Sequence, residues 1–294
     1  MPSLRKQLRE RLQRGETIVA PGAYDPISAR VVQSLGFPAV YTGGYITGAH
    51  TTITEPLLSL TDQVEVAAKV ARAVNLPVLA DAGTGFGDPL HIMRCVHEFE
   101  QAGIAGIHLE DQVYPKRASY HKGLEHIVPL DEFEERLTYA LRARQDADFL
   151  IIGRTDAFSA VEGSPEELVR RGMLLKELGV DVVMPRGVRQ REDLAFFRRE
   201  VPDVPLLVIA GADDISVQEY SDLGYQIIIY ATTAIVSAVH ALLTTYGSLK
   251  ETGLTDFKAQ QVAEVRTQVE ALIDLPEYYQ VEAETTEKRS AEGR

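Results

Sequence analysis

Eight short apolar runs, each followed by a helical window or a loop, set the strongest limit on how this chain can fold. The runs are 17–20, 39–42, 77–81, 106–110, 149–154, 180–184, 205–209 and 226–230. Each is apolar nearly throughout, as strands of a parallel sheet buried on both faces should be. Helical spacing marks 25–35, 61–74, 88–102, 130–144, 164–178 and 217–223 between them. Asp88, Asp131 and Ser164, the last with Glu167 three residues on, are expected N-caps. Gly36, Gly103 and Gly179 read as helix stops. Eight strand–helix units without a long linker point to a single (β/α)8 TIM-type barrel over residues 1–250. An open doubly wound sheet is the competitor. Its marker would be a glycine-rich dinucleotide turn after the first strand, and neither Gly43-Gly44 nor Gly83-x-Gly85-x-Gly87 completes that fingerprint. A further helical window at 256–275 is surplus to the barrel, giving a C-terminal helical extension over 251–280 and a frayed polar tail over 281–294.

Charge and cysteine content narrow the surroundings. The 43 acidic residues outnumber the 30 Lys and Arg, for a net charge of −13. So acidic a surface argues against nucleic acid and anionic lipid as partners. Residues 1–14 are basic but lack the apolar core of a signal peptide, and 223–249, the longest stretch without charge, divides into a strand and a helix. The single cysteine, Cys95, fits a reducing compartment and sits inside a helical window as a core residue. A cytoplasmic protein is expected.

In such barrels reactive groups gather where strands end at their C-terminal side. Those ends carry Tyr41-Thr42-Gly43-Gly44, Asp81, His108-Leu109-Glu110-Asp111, Arg154-Thr155-Asp156, Pro185-Arg186 and Tyr230. Carboxylates from neighbouring strands can share a hard divalent cation; equally, they can cap helices or pair with Arg154. Asp111 is expected to orient a neighbour such as Lys116. The long loop from Asp111 to about Pro129, with Lys116, Arg117, Ser119, Tyr120, His121 and Lys122, reads as a lid or as a solvated charge run. His91, His97, His126 and His240 read as surface or packing residues.

Several motifs occur together and in order: Pro21-Gly22-Ala23-Tyr24-Asp25-Pro26, Asp81-Ala82-x-Thr84-Gly85-Phe86-Gly87, His108-Leu109-Glu110-Asp111-Gln112, Pro115-Lys116-Arg117 and Gly153-Arg154-Thr155-Asp156-Ala157. Over about residues 10 to 280 the chain resembles the isocitrate lyase/phosphoenolpyruvate mutase superfamily. The resemblance implies a (β/α)8 barrel and a homotetramer whose subunits exchange the helix beyond it. It also implies Mg2+, with Mn2+ as a substitute, and a pyruvate-type enolate formed from a small 2-oxo or 2-hydroxy carboxylate. By motif position, Asp81 and Glu110 match the metal carboxylates. Arg154 matches the substrate arginine, and Gly43, Gly44 and Tyr45 match the segment that holds the substrate carboxylate. Tyr41 matches an active-site tyrosine, and Lys116 and Arg117 match the start of the gating loop.

The departures bear on the reaction. Where the lyase branch has Lys-Arg-Cys-Gly-His, this chain has Lys116-Arg117-Ala118-Ser119-Tyr120-His121, without the acidic thiol. Of the loop residues, His121 has the pKa best suited to replace it as proton donor. Gly83 stands where the family has a second aspartate, Glu55 aligns loosely with another, and Arg186 and Ile209 replace a glutamate and an asparagine. Tricarboxylic substrates are therefore disfavoured. Three readings stand: a Mg2+-dependent carbon–carbon lyase working by retro-aldol cleavage or decarboxylation, a P–C bond mutase or hydrolase using Arg186 on a phosphoryl group, and a non-catalytic 2-oxo acid binder. In the first, Tyr41 or His108 would take the hydroxyl proton.

Overall fold

In the computed structural model, which describes residues 2–117, 123–211 and 215–288, all eight expected strands are present. They are β1 (Ile18–Pro21), β2 (Val40–Thr42), β3 (Val78–Asp81), β4 (Gly106–Glu110), β5 (Leu150–Thr155), β6 (Val182–Pro185), β7 (Leu207–Ile209) and β8 (Ile227–Tyr230). Strands β2 to β6 pair in sequence order, and β8 lies between β1 and β7. Parallel bridges from Gly22 to Tyr41 and from Val183 to Leu206 join the two ladders on either side, so the sheet closes into a barrel. The register sets Asp81 beside His108 and Glu110 beside Arg154, which brings four polar strand ends to one rim.

Around the strands run α1 (Leu4–Gln13), α2 (Pro26–Ser34), α3 (Gly44–Thr51), α4 (Leu60–Ala73), α5 (Pro89–Gln101), α6 (Leu130–Ala143), α7 (Pro165–Leu178), α8 (Arg191–Glu200) and α9 (Val217–Asp222). Asp88 and Ser164 cap α5 and α7 as expected. Asp131 does not cap α6, because the helix begins at Leu130 and Asp131 falls in its first turn, where a carboxylate favours the helix dipole. Gly36, Gly103 and Gly179 have φ of 78°, 81° and 78°, the left-handed geometry that ends a helix.

The core has two layers. Strand residues facing outward pack with the helices around Phe99, Phe133, Phe149 and Phe197. Inward-facing residues, among them Ile18, Leu79, Leu150, Ile152, Met184 and Ile227, fill the barrel. Leu8 and Leu12 of α1 belong to that inner layer. The basic N-terminal stretch thus forms a helix whose leucines, at i and i+4, help fill the barrel interior. Its arginines anchor it: Arg5 pairs with Asp146 at 2.8 Å and Arg9 with Asp181 at 2.8 Å.

The chain divides into two compact units, 1–235 and 236–294. The boundary falls inside α10 (Thr233–Thr252), earlier than the expected change at 250. The second unit continues with α11 (Ala259–Leu272) and α12 (Leu275–Glu284). The single window expected at 256–275 ends as Asp274 turns left-handed at φ 59°, and Pro276 in the first turn of α12 restarts the helix. Helix α12 therefore carries the first residues of the expected frayed tail. None of these three helices buries a side chain; Val239, Leu243, Tyr246, Val262, Val265 and Val269 are all exposed. Among the described residues no helix is long and apolar enough to cross a membrane.

Because Leu8 is fully buried, Leu8→Ala should cost about 2–5 kcal/mol despite its place near the chain start. Urea denaturation would show this as a lower midpoint with an unchanged slope.

Candidate functional site

A pocket of about 290 Å3 opens at the C-terminal rim of the barrel, lined among others by Tyr41, Gly43, Gly44, Tyr45, Glu55, Asp81, Lys116, Arg154 and Arg186. It brings together the expected site residues Tyr41, Gly43, Gly44, Tyr45, Asp81, Lys116, Arg154 and Arg186, with Glu110 reaching Lys116 and Arg154 from the end of β4. His121, expected as proton donor, lies outside the described residues, as do Ser119 and Tyr120.

Lys116 holds the centre. Its Nζ lies 2.6 Å from Glu55 Oε1, 3.2 Å from Glu110 Oε1 and 3.9 Å from Asp81 Oδ2. Burial alone would lower the Lys116 pKa, but Asp81, Glu110 and Glu55 outweigh it and hold the ammonium well above the ordinary lysine range. Burial pushes Asp81 upward, yet Lys116, His108 and Arg154 keep it well below the usual carboxylate range. Its oxygens accept from Gly83 N at 2.7 Å and Gly44 N at 3.2 Å. Glu110 behaves differently: burial carries it up to about 7 against the pull of Arg154 and Lys116. Among the described residues no group of three or more His, Cys, Asp and Glu side chains is placed to hold a metal ion. The carboxylates instead converge on one ammonium.

Arg154 is oriented by Asp156, just beyond the end of β5, and by Glu110 of β4. Its Nε and Nη2 donate to Asp156 Oδ1 and Oδ2 at 2.7 and 2.9 Å, and its Nη1 meets Glu110 Oε2 at 2.8 Å. Such a two-pronged pair fixes the plane of the guanidinium. Asp156 also accepts from Gln112 Nε2 at 2.6 Å. Asp111 does not reach Lys116. It accepts from Thr155 Oγ1 at 2.6 Å, Asp156 N at 2.9 Å and Arg171 Nη1 at 3.1 Å, so it braces the end of β5.

Tyr41 is 2% exposed and its hydroxyl lies 2.8 Å from His108 Nε2, with the rings stacked. Burial drives the His108 imidazole down to about 4, so it is neutral near pH 7. With Nε2 accepting from Tyr41, the proton sits on Nδ1, which faces Asp81 Oδ1 at 3.7 Å without a hydrogen bond. Burial, with Asp81 adding to it, raises Tyr41 well above the ordinary tyrosine range. The phenol is thus better placed to donate a proton than to act as a base.

Gly43 and Gly44 carry strand β2 into α3 where no side chain fits. A Cβ on Gly43 would lie 2.7 Å from the Tyr41 ring, and one on Gly44 would lie 2.4 Å from Glu55 Oε1. The N-terminal turn of α3 therefore lines the pocket closely, and such a turn favours an anion. Arg186 at the rim is already engaged: its Nη1 donates to Glu125 Oε2 at 2.6 Å and Ser159 Oγ at 3.1 Å. Sequence reasoning missed Glu125, which has no motif to mark it. It assigned no role to Asp156, although its place two residues after Arg154, just beyond the end of β5, was a usable signal.

Comparison with known proteins identifies the family. The phosphoenolpyruvate phosphomutase family profile matches residues 8–250. A protein called probable 2-methylisocitrate lyase 2 from Corynebacterium glutamicum is 37% identical over 257 residues, covering 85% of this chain and 82% of that protein. The 2,3-dimethylmalate lyase of Eubacterium barkeri is 37% identical over 255 residues, covering 85% and 87%. A crystal structure of 2,3-dimethylmalate lyase, described as a member of the PEP mutase/isocitrate lyase superfamily, superposes with a TM-score of 0.84 at 30% identity over 97% of this chain and 99% of that one. With a closed parallel barrel, a family profile that spans most of the chain and named relatives that are lyases, the chain is an enzyme that belongs to the isocitrate lyase/phosphoenolpyruvate mutase superfamily.

Proposed function

We propose that this enzyme is a Mg2+-dependent carbon–carbon lyase that acts on a small 2-hydroxy or 2-oxo acid through a pyruvate-type enolate. One observation carries the reading: Glu55, Asp81 and Glu110 gather on a single ammonium beside the Arg154 guanidinium. With Asp156 included, four carboxylates gather around Lys116 and Arg154, with Arg186 3.8 Å from Asp156, so acidic groups outnumber cations at the site. Asp81 and Glu110, with Glu55 beside them, are the hard oxygen donors that Mg2+ or Mn2+ prefers, and Mg2+ keeps several waters when few carboxylates hold it. When bound, such an ion supplies positive charge where the reacting fragment gains negative charge.

The chain's own groups divide the remaining work. The first turn of α3, with Gly43, Gly44 and Tyr45, orients the substrate carboxylate. Arg154, fixed by Asp156, faces the oxygen that becomes negative, and it needs no reorganisation as charge develops. In decarboxylation, CO2 leaves and the electron pair stays on the three-carbon enolate, so no base is required. In retro-aldol cleavage a base removes the hydroxyl proton; the high pKa of Tyr41 and the neutral His108 fit a relay through the pair better than a free tyrosinate. His121 remains the proposed proton donor to the carbanion. Arg186 favours P–C chemistry less than its charge alone suggests, because Glu125 already neutralises it. The exposed apolar residues of α10 to α12 support association into a homotetramer, and the acidic surface and single buried cysteine support a cytoplasmic protein.

Mg2+ should raise the melting temperature of the wild-type protein, as any ligand of the native state does. Lys116→Met removes the ammonium that Glu55, Asp81 and Glu110 share and should cost about 3–5 kcal/mol without metal; Mg2+ should return part of that loss. Melting temperatures indifferent to Mg2+ in both proteins would refute the metal site. With Mg2+, deuterium should enter the methyl group of pyruvate, and NMR should find this exchange lost in Asp81→Ala. Exchange that survives in His121→Ala would remove His121 as the proton donor. Replacing Val262, Val265 and Val269 with glutamate should lower the mass seen by light scattering, by placing charge on the proposed contact face.

A further inference from the structure

Gln112 lies just beyond β4, 2% exposed, and belongs to none of the roles assigned above. We propose that it is a positioning residue that ties the Lys116–Arg117 segment to the Asp156–Arg154 pair, so that the two central cations of the pocket are set as one unit. Its Nε2 donates to Asp156 Oδ2 at 2.6 Å and its Oε1 accepts from Arg117 N at 3.1 Å. Only one orientation of the amide works. Reversal would set its oxygen against a carboxylate and its NH2 against an N–H. The Gln112 backbone is itself held, with its carbonyl accepting from Arg136 Nη1 at 2.8 Å and the residue bridged to Ile127.

The need for such a tie comes from Arg186. Its Nη1 lies 3.8 Å from the same Asp156 oxygen that Gln112 holds. Without the amide, Asp156 is free to shift toward that second guanidinium and carry the fork of Arg154 with it. The other end of the amide holds the peptide next to Lys116, whose ammonium reaches Glu110, the same carboxylate that Arg154 grips. Gln112 thus closes a ring: Arg154, Asp156, Gln112, the Lys116–Arg117 segment, Glu110 and back to Arg154.

The inference rests on the reading above in taking Arg154 as the substrate contact, and two measurements separate them. The first is calorimetric titration of oxalate, an enolate mimic, at saturating Mg2+. Gln112→Met and Gln112→Glu should each weaken binding about tenfold or more. Gln112→Met placed on Arg154→Lys should cost less than the sum of the two single losses, because both act on the same guanidinium. Wild-type affinity in the Gln112 variants, or losses that add in the double variant, would overturn the proposal. If Arg154→Lys binds oxalate as the wild type does, the reading of Arg154 fails instead. The second measurement needs neither metal nor oxalate. Trypsin should cut after Arg117 faster in Gln112→Met but at the wild-type rate in Gln112→Glu, which keeps an acceptor for the Arg117 N–H. Equal rates in wild type and Gln112→Met would overturn the tie to the loop.

Discussion

Buried charge at one end of the barrel decides what the surrounding structure must do. Glu55, Asp81 and Glu110 are drawn out of water around the Lys116 ammonium, and an isolated carboxylate in such a place would cost several kcal/mol. The β-strands meet part of that cost by setting Arg154 directly beside Glu110 in the ladder. The strain of the remaining imbalance shows in Glu110, which burial lifts to about 7 even between two cations. Asp81 stays ionised because Lys116, His108 and Arg154 draw its pKa down, with a hydrogen bond from Gly83 N adding to them. Two carboxylates on adjacent strands therefore differ in protonation because their neighbours differ.

A second set of buried polar contacts lies beneath the first and gives it shape. Arg171 on α7 reaches both Asp111 and the carbonyl of Val128, so a helix on the outside of the barrel holds the two roots of the long loop together. Asp111 in turn grips Thr155 and the Asp156 backbone. Each of these groups is almost wholly buried and each has a partner, which is the condition under which polar networks stiffen a structure rather than weaken it. The rim is consequently rigid where charge must be aimed.

The barrel was legible because its strands are buried on both faces and therefore apolar in unbroken runs; all eight fell within one or two residues of their expected bounds. Helix α3 was not legible, since Gly-Tyr-Ile-Thr-Gly-Ala-His-Thr has poor helix propensity and is held by its place at the end of β2. Helix α1 was read only as a basic stretch, its Leu4, Leu8 and Leu12 stripe hidden among arginines that turn out to pair with Asp146 and Asp181. At the site, motif order located Asp81, Glu110, Arg154 and Lys116. What no local pattern could give was partnership across the fold. Asp111 bonds residues 44 to 60 positions away, and Arg186 meets Glu125 at a separation of 61.

The two glycines that carry β2 into α3 have a consequence for how this enzyme can diversify. Any side chain at Gly43 strikes the Tyr41 ring and any at Gly44 strikes Glu55, so a change at either place damages a second pocket residue with it. That lip cannot drift by single steps. Innovation is channelled to the opposite rim, where Ile209 and Thr232 border a wider chamber and new side chains can be tried one at a time.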